Sequence, residues 1–167
     1  ICIGVPSVSQ TSEDRYALFV LNTLLGGGVS SRLFQEIREN RGLAYSVYSY
    51  TSMYIDTGLW GVYAGVSKKR IREVAELIIH EMLTLKDTLT EEELDKAKNK
   101  LETSMIESLQ TNIGKADILA YFRTYFKETN RVNTLFSKYA AVTSEDILTA
   151  AKKYLINDNR VILNYLN

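Results

Sequence analysis

Two runs rich in β-branched and aromatic residues, Leu43 to Met53 and Thr57 to Val66, are separated only by Tyr54-Ile55-Asp56. A connection that short joins antiparallel strands; parallel strands need a long crossover. The chain must therefore build a hairpin, and a lone hairpin is not stable in water without further strands or a covering helix layer. The chain ends supply the strands. Ile1 to Ser9 alternates apolar and polar positions, and Val161 to Tyr165 follows the turn residues Asn157-Asp158-Asn159. Both must join the hairpin's sheet.

The remaining sequence reads as helix. Thr11-Ser12-Glu13-Asp14 is a helix-start signature, after which Tyr16, Phe19, Val20 and Leu24 recur at helical spacing. Gly26-Gly27-Gly28 ends that helix, and Ser30 or Ser31 can cap a second one carrying Leu33, Phe34 and Ile37 beside Gln35, Glu36 and Arg38. Gly42 is placed to stop it. From Lys69, Ile71, Val74, Leu77, Ile78, Met82 and Leu85 share one face, opposite Glu73, Glu76, His80 and Thr84. Thr90 and Glu93 form a capping box that opens the next helix, with Leu94, Ala97, Leu101, Met105 and Leu109 as core candidates. Ile113 to Phe126 is apolar over most of its circumference, through Ile118, Leu119, Tyr121, Phe122 and Tyr125, and is expected to be the most buried helix. Two shorter helices follow, Val132 to Val142 and, capped by Thr143, Glu145 to Leu155. Strands at both ends and in the first third, with helices between, predict an α+β fold: a mostly antiparallel sheet with helices packed on one face. At 167 residues, 1–167 is expected to be a single α+β domain.

Composition narrows the function. Lys plus Arg and Asp plus Glu stand at 20 each, so no basic field attracts nucleic acid or an anionic membrane surface. No apolar run approaches the ~18 residues of a membrane span. The single cysteine, Cys2, cannot form an intrachain disulfide, and is expected to be a packed strand residue. The GGGVSS stretch lacks the Gly-Lys-Ser/Thr of a phosphate loop and reads as a flexible connection between helices. His80 is followed by Glu81, but Thr84 stands where a second zinc-binding histidine would be needed, so His80 reads as a solvated residue. Arg32, Glu36 and Arg41 read as ion-pair partners, and Tyr48, Tyr50, Tyr54 and Tyr63 as cross-strand packing, with the lining of a peptide chamber as the alternative.

One constellation is more specific. Ser31-Arg32-Leu33-Phe34 precedes Arg38-x6-Tyr45 with Gly42 between, and Asp56-Thr57-Gly58-Leu59 follows in the second strand. In this order the chain resembles the C-terminal half-domain of the inverted-zincin peptidases, the family of pitrilysin, insulin-degrading enzyme and mitochondrial processing peptidase. The resemblance spans essentially the whole chain and implies a processing-peptidase-like metallohydrolase half-domain, the C-terminal, non-zinc-binding half of a larger peptidase. It implies that Arg38 and Tyr45 are catalytic and substrate-binding, bound to the peptide backbone and to the oxyanion formed at the scissile carbonyl. Gly27 and Gly28, in what looks like a remnant of a longer glycine-rich loop, are expected to touch peptide.

That family holds zinc through His-x-x-Glu-His, and a chain with one histidine has no such site. No cofactor is expected in this chain, zinc being in the complementary half, which is either a zinc-binding N-terminal half-domain or a partner subunit. The chain begins at Ile1 in mid-strand without Met, as a piece cut from a longer polypeptide would, and a single-polypeptide origin is the expectation. The expected activity is that of a zinc metalloendopeptidase, with this chain inactive alone. The alternative is a non-catalytic structural or peptide-presenting subunit of the same fold. The compartment is open, with the cytoplasm as the expectation.

Overall fold

The computed structural model describes residues 1–155 and 159–165. The hairpin forms as expected: β2 (Ala44–Met53) pairs antiparallel with β3 (Gly58–Val66) from Ala44 opposite Val66 to Met53 opposite Gly58. Strand β1 (Cys2–Ser7) lies against the other side of β3, and β4 (Val161–Leu163) pairs with β1. The four-stranded sheet has the order β2-β3-β1-β4 and every neighbouring pair is antiparallel. Asn157 and Asp158 of the expected turn lie outside the described residues.

Side chains alternate across the sheet. Ile3, Val5, Val47, Trp60, Val62 and Ala64 point inward and are buried in one continuous core with helices α1 (Arg15–Gly26) and α2 (Ile71–Thr88), whose Leu18, Leu21, Leu25, Val74, Ile78, Met82 and Leu85 fill it. Trp60 is fully buried, and its indole N–H donates to Asn22 Oδ1 at 3.0 Å, so its one polar atom is satisfied. Helices α3 (Glu91–Leu109), α4 (Asn112–Phe126), α5 (Leu135–Ala140) and α6 (Ser144–Ala150) extend this layer. The helices thus cover one face of the sheet. The other face carries Tyr48, Tyr50, Leu59 and Tyr63, with ring centroids 5.3 Å apart for Tyr48 and Tyr63 and 6.3 Å for Tyr48 and Tyr50.

Two expectations are corrected. In α4 only Phe122 is buried, while Ile113 and Leu119 are exposed. The helix packs against α3 and the short 3-10 segment Asn130–Thr134 rather than on the sheet, and its aromatic residues stack largely on one another, Tyr121 against Phe122 at 5.1 Å and Tyr125 at 5.3 Å. An apolar circumference shows that a helix can be buried, whereas burial also needs neighbours on every side. The other correction concerns a cap. Helix α1 starts directly after Thr11-Ser12-Glu13-Asp14 as expected, with the Asp14 N–H donating to Ser12 Oγ at 3.2 Å, while the Asp14 carboxylate accepts from Lys153 Nζ at 2.7 Å and the Tyr154 hydroxyl at 2.6 Å. The expected cap of the second helix is the one that fails: Ser31 turns back and donates its hydroxyl to the Gly28 carbonyl. The capping boxes of Thr90 with Glu93 and Thr143 with Asp146 form in full.

Candidate functional site

The site is built on the segment between α1 and β2. Gly27 closes α1 by donating its N–H to the Thr23 carbonyl, and Gly28 follows with φ +145°, where a Cβ would lie 2.0 Å from Lys100 Nζ. The helix that begins after Ser31 widens into a π-helix over Phe34–Asn40 and ends at Gly42, whose φ of +59° suits glycine. This reversal brings the end of the helix and the start of β2 together.

Three arginines ride on this helix, and their environments differ. Arg32 is committed: Nε and Nη2 donate to the two oxygens of Glu93 at 2.8 and 2.7 Å, and Nη1 and Nη2 to Thr88 Oγ1 and O at 2.7 and 2.8 Å. Glu93 is also the capping-box carboxylate of α3, so Arg32 locks this helix to the α2–α3 turn. Burial opposes ionisation of Glu93, yet the bonds from Arg32 and Thr90 hold its pKa below the usual value. Arg41 is paired through Nε and Nη2 with Glu36 Oε1 at 2.7 and 2.5 Å, and Arg41 pulls the Glu36 carboxyl low. The readings of Arg32, Glu36 and Arg41 as ion-pair residues hold.

Arg38 differs from both. Among the described residues it makes no hydrogen bond and has only a loose 3.9 Å approach to Glu39. Its guanidinium lies 4.8 Å from the Phe34 ring centre and 5.7 Å from that of Tyr45. The rings hold the cation by its face. Stacking leaves the N–H groups around its rim free to donate.

Tyr45 owes its position to a β-bulge. Ala44 opposes Val66 and Ser46 opposes Gly65, which leaves Tyr45 as an extra residue between two ladder positions. Ala44 and Val47 are both buried although three residues apart, which strict alternation forbids. The bulge resolves the conflict and turns Tyr45 outward, 87% exposed, with no hydrogen-bond partner for its hydroxyl among the described residues. Arg38 and Tyr45 thus meet as two exposed donors with uncommitted N–H and O–H groups.

A groove of about 820 Å³ opens beside Tyr45 and reaches Tyr63 and Gly65 on the exposed sheet face, with Arg41 and Arg70 in its lining. Gly27 and Gly28 stand apart from it, beside α3. The sequence pattern did not reveal the bulge or the role of Phe34. Both had a signal: an arginine four residues after an aromatic residue on a helix, and core-type residues spaced by three within a strand.

Zinc does not fit the residues present. His80 is exposed on α2, Cys2 lies half-buried on β1, and among the described residues no three His, Cys, Asp or Glu side chains converge. No described helix is long and apolar enough to cross a membrane.

Comparison with known proteins bears on the family and the fold. Residues 1–101 match the family model described as the peptidase M16 inactive domain. The chain is 39% identical over 162 residues to an uncharacterized zinc protease of Streptomyces coelicolor, covering 93% of this chain and 34% of that protein. It is 33% identical over 164 residues to the uncharacterized zinc protease YmxG of Bacillus subtilis, covering 98% of this chain and 40% of that protein. The chain therefore spans little more than a third of the length of these relatives. The solved structure of a protease from Helicobacter pylori superposes with a TM-score of 0.87 at 21% identity, covering 95% of this chain and 39% of that one, which is a likeness of fold. On the family match and these identities, the chain belongs to the peptidase M16 inactive-domain family.

Proposed function

We propose that this chain is the substrate-binding and transition-state-stabilising half of a zinc-dependent endopeptidase that cleaves peptides. Its complement is a zinc-binding N-terminal half-domain, on the same polypeptide or in a partner subunit, and zinc belongs to that half. The observation that carries the reading is the pairing of Arg38 and Tyr45: two neighbouring donors, both exposed, neither spent on a partner in this chain. Groups that only stabilise this fold would be bound internally, as Arg32 is.

Peptide hydrolysis develops negative charge on the scissile carbonyl oxygen, and fixed donors aimed at that oxygen lower the barrier. Arg38 offers a fork of N–H groups suited to backbone carbonyls, and Tyr45 a single hydroxyl. In this reading Arg38 anchors the peptide backbone and shares the oxyanion with Tyr45, while the backbone at Gly27 and Gly28 touches the peptide farther along.

The test is kinetic and uses the full peptidase. Arg38→Ala and Tyr45→Phe should each lower kcat/KM by roughly 10² to 10³, the range for one oxyanion donor, with zinc content and Tm unchanged. The double variant should lose less than the product, because donors that orient one carbonyl act as a unit. Wild-type activity in both single variants would refute the catalytic assignment and leave a structural or peptide-presenting role.

A further inference from the structure

The groove beside Tyr45 has a charge pattern that the Arg38–Tyr45 pair does not account for. Its lining includes Arg41 and Arg70 together with Tyr45, Tyr63, Ser46 and Ser67, and no aspartate or glutamate. Neither arginine is saturated. Arg41 contacts Glu36 through Nε and Nη2, both on one carboxylate oxygen, which leaves Nη1 uncommitted; Arg70 gives only Nη1 to Glu73 Oε2, at 2.7 Å. Both pairs are solvent-exposed, the kind that contributes little and exchanges readily. Among the described residues, the charged side chains lining the groove are thus both cationic, although the whole chain is neutral.

From this we infer that the groove is a subsite for an acidic side chain of the peptide, so that the preferred substrates carry Asp or Glu within a few residues of the bond held by Arg38 and Tyr45. The inference rests on the reading that this pair holds a peptide. Tyr45 joins the two: it is the outward residue of the bulge beside Arg38, and it also lines the groove. A peptide fixed at Arg38 continues along the edge of β2 into the groove, where its next side chains meet Tyr63 and the free donors of Arg41 and Arg70. Gly65 carries no side chain in the groove, where a Cβ would touch the Tyr63 hydroxyl at 3.5 Å and Ser46 at 3.9 Å. An aliphatic or basic side chain at that position gains nothing from the arginines, and a basic one is repelled.

The experiment is a titration of the isotope-labelled 167-residue chain with matched extended peptides that differ at one position, Asp, Asn or Lys, followed by amide NMR. The Asp peptide should bind about fivefold more tightly than the Asn peptide at low salt, and the advantage should shrink at high salt, as expected for one exposed charge contact. Resonances of Tyr45, Tyr63, Gly65 and Arg70 should shift. Arg70→Glu, which places an acid at the favourable N-terminal end of α2 and so keeps the helix, should abolish the preference for Asp over Asn. Equal affinity for the Asp and Asn peptides, or a preference that survives both Arg70→Glu and Arg41→Gln, overturns the subsite. If the Asn peptide still binds in a way that Arg38→Ala abolishes, only the subsite fails. If no peptide shifts these resonances, the Arg38–Tyr45 reading fails with it.

Discussion

Arg32, Arg38 and Arg41 lie within ten residues of one another, and what separates them is what their N–H groups already hold. Sequence cannot rank them, because the partner that immobilises Arg32 is Glu93, 61 positions away. It could show only that Arg38-x6-Tyr45 sits in a suggestive order. Once the partners are known, Phe34 becomes a positioning residue, since it supplies the nearer of the two rings that hold the Arg38 guanidinium. Phe34→Leu keeps apolar bulk and removes the ring. The ring-current shift of the Arg38 Nε–H proton should collapse, and peptide affinity should fall by roughly two- to fivefold, the scale of one exposed cation–π contact. Phe34→Tyr should restore both. An unchanged Arg38 signal in Phe34→Leu would show that the guanidinium is held by something else.

Among the elements, those decided locally were legible. The capping boxes at Thr90 and Thr143 need only a side chain three residues along, and both formed. The hairpin was legible for the same reason. Where the deciding partner is remote, the text is silent: α4 reads as a core helix but lacks neighbours, and nothing near Asp14 announces Lys153 and Tyr154, 139 and 140 residues away. That contact ties the start of α1 to the π-helical turn Ala151–Leu155 and has a pH signature. The bond from Lys153, then that from Tyr154, lowers the Asp14 pKa, so the folded state favours the ionised carboxylate. A lowered folded-state pKa adds stability above the ordinary Asp range, and this is lost as pH falls through the folded value. Asp14→Asn should therefore lower Tm by a few degrees at pH 7, and its deficit should shrink as pH drops below about 4. A deficit that stays constant down to pH 2.5 would assign it to shape instead of charge.

For the whole molecule, a core that runs unbroken from the sheet through α1, α2 and α6 predicts one cooperative unit. Trp60, the only tryptophan, lies fully buried at its centre and reports on it. Its fluorescence transition in urea should coincide with the loss of helical circular dichroism; a helical loss at lower urea would identify α4 and α5 as a separately melting unit. Trp60→Ala should cost about 3 to 5 kcal/mol, the usual penalty for emptying a large core site. The architecture and the Arg38–Tyr45 pair were thus readable from pattern and motif order, whereas the bulge that exposes the tyrosine was not. That bulge separates the fold from the outward turn of Tyr45 by a single codon. Deleting Ser46 would let Ala44, Tyr45 and Val47 alternate regularly, with the core face intact and Tyr45 drawn into the ladder opposite Gly65. Such a variant should melt close to the parent, and under the function proposed above it should lose peptide hydrolysis in the full peptidase, so that a three-nucleotide deletion would part the scaffold from the proposed site.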